Sequence, residues 1–308
     1  MKINYIVDER IEFFSSLLTV NGYWDFLAKK FWRIELMKHP YKDEVINFFS
    51  EFKNHELFSL LESICANLHD FSILLEIPFF FLSDNKDLSS DCIISDEIRK
   101  NKNLKKTLLL MEDLYQKTNY NMFFSKLEKS SFYLSDKQKE KISECLDSLQ
   151  TYLNIQLGDV RIFISPLILG NYLIPLVNSE ISIAISPYDY QDGYIWGMPE
   201  NYILNFVIQN ISTKAIFNLR ESLNIQQNNI SCNIPYYNNW ESIVSNILSR
   251  IILIRLRTLF NKEDEKLLLE KYSKDFPDIE IYYKRLVENE TDCKFCISSV
   301  DRVFMSKQ

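Results

Sequence analysis

The sequence predicts an α+β protein that is predominantly helical, with a helical N-terminal array, a small mid-chain β-sheet and a helical C-terminal part. Two observations support this prediction. The 308 residues include only 5 Gly and 8 Pro, too few for a sandwich or barrel built from many tight turns. Apolar residues, by contrast, recur at helical spacing over most of the chain, and a hydrophobic fraction of 46% is ample for a core.

The N-terminal array begins with a helix predicted over Val7 to Thr19. Its apolar residues share one helical face, and Asp8, Glu9 and Glu12 stand near the first turn, where the helix dipole favours negative charge. Asn21-Gly22 ends this helix. The same spacing predicts further helices over Trp24 to Leu36, Lys42 to Phe52, Glu56 to Asn67, Leu104 to Thr118, Asn121 to Lys129 and Ser135 to Leu153.

The pattern changes at Gly158. Val160 to Ile164 and Glu180 to Ile185 are rich in β-branched residues, which predicts two strands, with Tyr172 to Val177 as a candidate third. Helices are then predicted over Glu200 to Leu223, Trp240 to Phe260, Lys266 to Lys274 and from Pro277 to Val287. We therefore divide the chain into residues 1–157 and 158–308 and expect the two parts to form one cooperative unit.

The charge pattern argues against nucleic acid as a partner. The net charge is -7 and the pI is near 5.2, whereas phosphate binding depends on clustered Lys and Arg. Arg250, Arg255 and Arg257 lie close together, but the first two flank the apolar run Ile251 to Ile254. This arrangement favours an ordinary amphipathic helix over a DNA-binding helix.

Several function classes are excluded by what the sequence lacks. Acidic residues interrupt the N-terminal stretch that a secretory signal would need, and no segment approaches the ~20 apolar residues of a membrane span. We therefore expect a cytoplasmic protein without membrane association, and its six Cys fit a reduced compartment. No Gly-rich phosphate loop or nucleotide fingerprint is present, so no cofactor is expected.

Several short blocks of residues, taken in their order and spacing, cover most of the chain and resemble a known family. The blocks are Val7-Asp8-Glu9-Arg10-Ile11-Glu12 with Asn21-Gly22-Tyr23, Phe48 to His55, Leu114-Tyr115 with Phe123-Phe124 and Phe132-Tyr133, and Ile162 to Pro166 followed by Gly170-Asn171-Tyr172. They resemble the bacterial domain of unknown function 4932, whose members look like zinc metallopeptidases of the gluzincin type.

The resemblance implies a helix bearing His-Glu-x-x-His, where two His four residues apart hold zinc and the Glu is the general base. The matching positions here are Asn205, Phe206 and Gln209, and Asn246 stands where a Glu ligand on the next helix would be, with Arg250 retained. The amides bind zinc far more weakly than imidazole or carboxylate, and Phe206 cannot accept a proton. Zinc peptidase activity is therefore predicted to be absent.

The three histidines support the same prediction without any alignment. His39, His55 and His69 are the only ones in the chain, and no two are four residues apart with an adjacent Glu. We interpret them as surface or partly buried helix residues.

Two further groups of residues are candidates for non-zinc chemistry. Cys293 and Cys296 have the spacing of a redox disulfide or of half a zinc site, but the other cysteines offer no second pair. Asp8, Glu9 and Glu12 could act as general acid and base, although a solvated first helical turn explains them more simply. Because the resemblance includes Glu9 and Arg10, a buried ion pair that organises the cleft is an intermediate hypothesis.

The turn-rich segment 187–197 contains three Tyr and one Trp. Exposed Tyr and Trp carry large contact area, so this segment is either an interface or a loop packed on its own domain.

The leading functional hypothesis is a catalytically inactive metallopeptidase-like protein, a pseudoenzyme, whose helix and cleft bind a protein or peptide. One alternative is an active enzyme that uses thiol or carboxylate chemistry. Another is a helical interaction protein unrelated to peptidases.

Overall fold

The computed structural model describes residues 1–23, 40–65, 102–127, 132–168, 171–174, 181–186, 199–219, 232–233 and 240–304. Over these residues the protein is α+β and predominantly helical, which confirms the predicted fold class. The helix predicted over Trp24 to Leu36 and the segment 187–197 lie outside the described residues. Among the residues described, no helix combines the length and the apolar character needed to cross a membrane.

The chain forms two compact units, and each consists of two stretches. Unit 1 comprises Met1–Asp136 and Gly158–Tyr202, and unit 2 comprises Lys137–Leu157 and Ile203–Gln308. A boundary does fall at Gly158, but the units are not the continuous halves 1–157 and 158–308 that the sequence predicted. The reason is that the N-terminal residues pair with a strand after Gly158, and local sequence patterns do not predict such a long-range contact.

Unit 1 contains a four-stranded sheet. Its strands are β1 (Ile3–Ile6), β2 (Val160–Ile164), β3 (Asn171–Ile174) and β4 (Ile181–Ile185), in the order β1-β2-β4-β3. The β1–β2 and β2–β4 pairs are parallel, and β3 is antiparallel to β4. Strand β4 lies between β2 and β3 and is buried at every residue, which explains why four of its five residues are apolar and why Ser182 is buried too.

The three predicted strands are confirmed, and β1 is an addition. In register, Ile3 lies opposite Val160 and Ile6 lies opposite Phe163. Four residues are too few to show a periodicity of their own, so β1 has no separate signal in the sequence.

The helices of unit 1 pack around an aromatic core. They are α1 (Glu9–Val20), α2 (Pro40–Phe48), α3 (Glu56–Cys65), α4 (Lys102–Thr118) and α5 (Tyr120–Lys126), with a 3₁₀ turn at Ser50–Phe52. Phe13 of α1 makes edge contacts with Tyr115 and Tyr120, at centroid distances of 5.3 and 4.8 Å. Helix α1 begins two residues later than predicted because Asp8 is its N-cap and accepts a hydrogen bond from the Arg10 N–H.

The helices that contribute to unit 2 agree closely with the sequence prediction. They are α6 (Asp136–Leu153), α7 (Pro199–Leu219), α8 (Trp240–Phe260), α9 (Glu265–Ser273) and α10 (Ile279–Glu288). The chain then adds a 3₁₀ turn at Ile297–Ser299 and a short helix α11 (Val300–Phe304), neither of which the sequence predicted.

A buried ion pair joins three parts of unit 2. Arg255 of α8 donates to both carboxylate oxygens of Glu290, at 2.8 and 2.7 Å, and Tyr152 of α6 donates to the same carboxylate at 2.8 Å. The Arg255 and Glu290 side chains are only 13% and 6% exposed. Because both partners of this bidentate pair are largely removed from water, each depends on the other to compensate its lost hydration.

We predict that Glu290→Ala lowers the free energy of unfolding by about 3 to 5 kcal/mol, because it leaves the Arg255 guanidinium buried without its main partner. Glu56→Ala is the control, since Glu56 pairs with Lys106 of α4 and both of these side chains are more than half exposed. The control should change stability by less than about 1 kcal/mol. Urea denaturation of both variants measures the difference, and equal losses would contradict the role of burial.

Candidate functional site

The positions that the resemblance assigns to zinc ligands lie on α7 and α8. On α7, Asn205, Phe206 and Gln209 are half-buried. The Gln209 Nε2 donates to Ser245 Oγ of α8 at 2.9 Å. The residue next to Ser245 is Asn246, so α7 and α8 lie side by side at this point.

A small cluster of neutral polar groups surrounds this contact. Thr213 Oγ1 lies 2.8 Å from Ser245 Oγ, so one hydroxyl donates to the other. Asn246 is almost fully buried, and its Nδ2 donates to the Ser242 carbonyl one turn earlier at 2.8 Å. We call Gln209, Thr213 and Ser245, together with Asn246 as the sequence neighbour of Ser245, the amide-hydroxyl cluster. Its chemistry is that of hydrogen bonding, because none of its groups titrates near neutral pH.

Arg250, which the resemblance retains, also contacts a neighbouring helix. Its guanidinium lies over the ring of Tyr272 of α9, 5.4 Å from the ring centroid, in a cation–π contact. Arg255 and Arg257 face the carboxylates of Glu290 and Glu263. The arginines of α8 are thus engaged within unit 2, in agreement with the amphipathic-helix interpretation.

Among the side chains that the structure describes, no group of three or more His, Cys, Asp and Glu is arranged to hold a metal ion. His55 precedes α3, and its Nδ1 accepts the Leu57 N–H at 3.3 Å while its Nε2 lies 2.9 Å from Asp113 Oδ2. The imidazole therefore donates from Nε2 to the Asp113 carboxylate and caps α3, as a partly buried structural residue. His39 and His69 lie outside the described residues.

The ion pair expected between Glu9 and Arg10 is not formed. Arg10 instead pairs with Asp8, donating from Nε at 3.0 Å and from Nη2 at 2.6 Å. Glu9 accepts a hydrogen bond from the Tyr115 hydroxyl at 2.6 Å. Asp8 takes the arginine because its N-cap position already holds its carboxylate against the Arg10 backbone, so the short side-chain bridge closes locally.

Glu12 overturns the expectation of a solvated first turn. Its exposed fraction is 0%, and Tyr41 of α2 donates to its Oε1 at 2.7 Å. Among the described residues, Oε2 has no hydrogen-bond partner. Burial raises the pKa of Glu12 to about 7, against the lowering effect of the Tyr41 hydrogen bond.

Glu12 belongs to a polar stripe on α1, which consists of Glu12, Ser15, Ser16 and Thr19, all of them buried. Residues three and four apart share one helical face, so the stripe runs along a single side of α1. The Ser16 hydroxyl lies 3.0 Å from the Tyr120 hydroxyl, and Thr19 donates to the Ser15 carbonyl at 2.8 Å. The small, uncharged residues beside Glu12 were the available sequence signal, because a solvated helical face usually carries several charges.

Cys293 and Cys296 are exposed free thiols, whereas Cys145 and Cys232 are half-buried. The Cys296 Sγ lies 2.9 Å from Ser298 Oγ. Hydrogen bonds with Ser298 and Ser299 and the positive charge of Arg302 lower the pKa of this thiol.

Comparisons with protein-family models, with curated proteins and with solved structures found no match. The resemblance to the gluzincin-like family therefore stays a prediction from the sequence.

We predict that Glu12 makes unit 1 less stable as the pH rises. Its folded-state pKa of about 7 exceeds the usual 4.5, so its favourable contribution is complete below pH 4.5 and is lost through pH 7. The loss attributable to Glu12 between pH 4.5 and 8 is about 3 kcal/mol. Urea denaturation at both pH values should show that Glu12→Gln removes this part of the pH dependence.

Glu9→Gln is the matched control, because Glu9 lies on the same helix and also accepts a tyrosine hydroxyl. It should leave the difference between the two pH values close to that of the wild type. An unchanged pH dependence in Glu12→Gln would show that Glu12 does not take up a proton on folding.

Proposed function

We propose that the protein is a catalytically inactive relative of gluzincin-like metallopeptidases, a pseudoenzyme that binds a protein or peptide at the face formed by α7 and α8. The observation that supports this most directly is the hydrogen bond from Gln209 to Ser245. It joins the two helices where the resemblance expects zinc ligands, and it does so with neutral groups.

The chemistry of the four motif positions favours binding over hydrolysis. Amides at Asn205, Gln209 and Asn246 are weak zinc ligands, and Phe206 has no group that could remove a proton from water. Gln209 is instead part of a hydrogen-bonded cluster that holds α7 against α8. Gln209, at a position that would hold metal in an active relative, thus has a structural role here.

The same cluster has the donors and acceptors that a peptide main chain needs. A peptide bond presents one N–H and one C=O, and amide and hydroxyl side chains can pair with both. Thr213 is exposed and Gln209 is half-buried, so polar groups of the amide-hydroxyl cluster reach the surface of α7. These features support a protein or peptide as the partner.

We predict that restoring the motif creates a zinc site. The variant Asn205→His, Phe206→Glu, Gln209→His and Asn246→Glu should bind one zinc per chain, because the helices already lie side by side at Gln209 and Ser245. The wild type should contain almost none. Elemental mass spectrometry of untagged protein measures both, with far-UV circular dichroism to verify folding.

The control for this variant keeps Asn246 and restores only the three positions on α7. It should bind zinc more weakly, since one carboxylate ligand is missing. One zinc per wild-type chain, or a folded fourfold variant without zinc, would contradict the proposed relationship.

We further predict that peptide binding depends on Gln209. Selection of a random peptide library on the immobilised wild-type protein should enrich peptides whose affinity falls at least about tenfold in Gln209→Ala, because that variant loses the Gln209 side-chain carbonyl, an acceptor for a peptide N–H. Lys214→Ala is the control, since Lys214 is an exposed residue on the same helix. Fluorescence anisotropy measures the affinities, and equal binding by Gln209→Ala would place the peptide elsewhere.

A further inference from the structure

Cys293 lies in a tight turn. The N–H of Thr291 donates to the Lys294 carbonyl at 2.9 Å, and the Lys294 N–H donates back to Thr291 at 3.0 Å. The two residues between them, Asp292 and Cys293, have φ angles of 52° and 57°. Positive φ at both central positions is typical of a type I′ turn, which fixes the backbone direction of Cys293.

The backbone between the two cysteines is anchored to α6. Phe295 is fully buried, and its N–H donates to the Tyr152 carbonyl at 2.9 Å. After Cys296 the chain continues directly into the 3₁₀ turn, where the Ser299 N–H donates to the Cys296 carbonyl at 2.8 Å. The two thiols are therefore carried on a short segment that is held at both ends and in the middle, while both side chains remain exposed.

The two thiols differ in chemical environment. Cys296 has the Ser298 hydroxyl at 2.9 Å, and that contact, with the nearby Arg302, lowers its pKa. The thiolate is the nucleophilic form of cysteine, and a hydroxyl that donates to it stabilises its charge. Cys296 is thus the thiol better prepared to react first, and Cys293 is the exposed thiol three residues away.

We infer that Cys293 and Cys296 are a redox-active dithiol that hydroperoxides oxidise to an intrachain disulfide. The Cys296 thiolate attacks one peroxide oxygen, the O–O bond breaks, and Cys296 becomes a sulfenic acid while the released oxygen takes up the thiol proton. The Cys293 sulfur then attacks the Cys296 sulfur. The S–S bond forms, the S–O bond breaks, and water leaves with the proton of Cys293, so two thiols and one hydrogen peroxide give a disulfide and two waters.

The test uses the reduced full-length chain and hydrogen peroxide. After oxidation, free thiols are alkylated and the protein is digested with trypsin, which cuts after Arg285, Lys294 and Arg302 and so separates the two cysteines. We expect the peptides 286–294 and 295–302 to remain linked by a disulfide. The link should appear within single chains, as shown by mixing isotope-labelled and unlabelled protein before oxidation.

Variants separate the roles of the two thiols. Cys296→Ser should slow thiol oxidation at least about tenfold, because the activated nucleophile is lost. Cys293→Ser should form no link and should leave a sulfenic acid at Cys296 that dimedone traps. Cys232→Ser is the matched control and should keep the link, because Cys232 is half-buried and remote in sequence.

Both cysteine side chains are exposed, so we expect these variants to fold, which circular dichroism checks. Absence of the linked peptides in oxidised wild type, links between chains only, or oxidation of Cys296→Ser at the wild-type rate would each overturn the inference.

Discussion

Burial of a carboxyl group on a helix without a solvent-facing side is the constraint on which much of unit 1 depends. Helix α1 is buried at every residue from Ile11 to Thr19, so its polar side chains can find partners only inside the protein. Tyr41 reaches Glu12 from α2, and the hydroxyl of Tyr120 in α5 reaches Ser16. The rings of these tyrosines contribute to the aromatic core while their hydroxyls meet the polar stripe.

The same physical requirement organises unit 2 around Arg255. This arginine lies on a helix whose apolar face fills the core, and its charge is compensated by Glu290, which also accepts the Tyr152 hydroxyl. Replacing such a pair by apolar residues is often harmless, whereas removing one partner is not. The pair therefore specifies how α6, α8 and the segment after α10 come together. That segment continues into the turn that bears Cys293 and then to Cys296.

The two proposals rest on different chemistry and stand independently. The α7–α8 face presents neutral hydrogen-bonding groups and is proposed to recognise a peptide without reacting with it. The dithiol is proposed to react with peroxide, and it needs no contribution from the amide-hydroxyl cluster. If both hold, the protein combines a binding surface inherited from a metallopeptidase-like scaffold with a separate thiol chemistry. Oxidation and peptide binding can then be measured in the same preparation.

Local patterns by themselves determined most of the secondary structure. Helix α8 and strand β2 have the predicted bounds, because each has a clear sequence pattern of its own. Apolar residues recur at helical spacing over the 21 residues of α8, and β2 is a run of five residues rich in β-branched side chains. Asn205 and Gln209 lie on α7 and Asn246 lies on α8, two helices that the sequence predicted. These features depend on residues close together in the chain.

Only the tertiary structure decided which features were buried and which distant segments met. Strand β1 exists because β2 pairs with it across more than 150 residues, and the same pairing divides the chain into interleaved units. Glu12 was expected in solvent because first-turn acids usually are, yet packing on all sides of α1 buried it and raised its pKa. Arg10 pairs with Asp8 and not with Glu9, because the N-cap position of Asp8 holds its carboxylate next to the Arg10 backbone. Burial and pairing depend on neighbours distant in sequence, so they emerge only when the chain is folded.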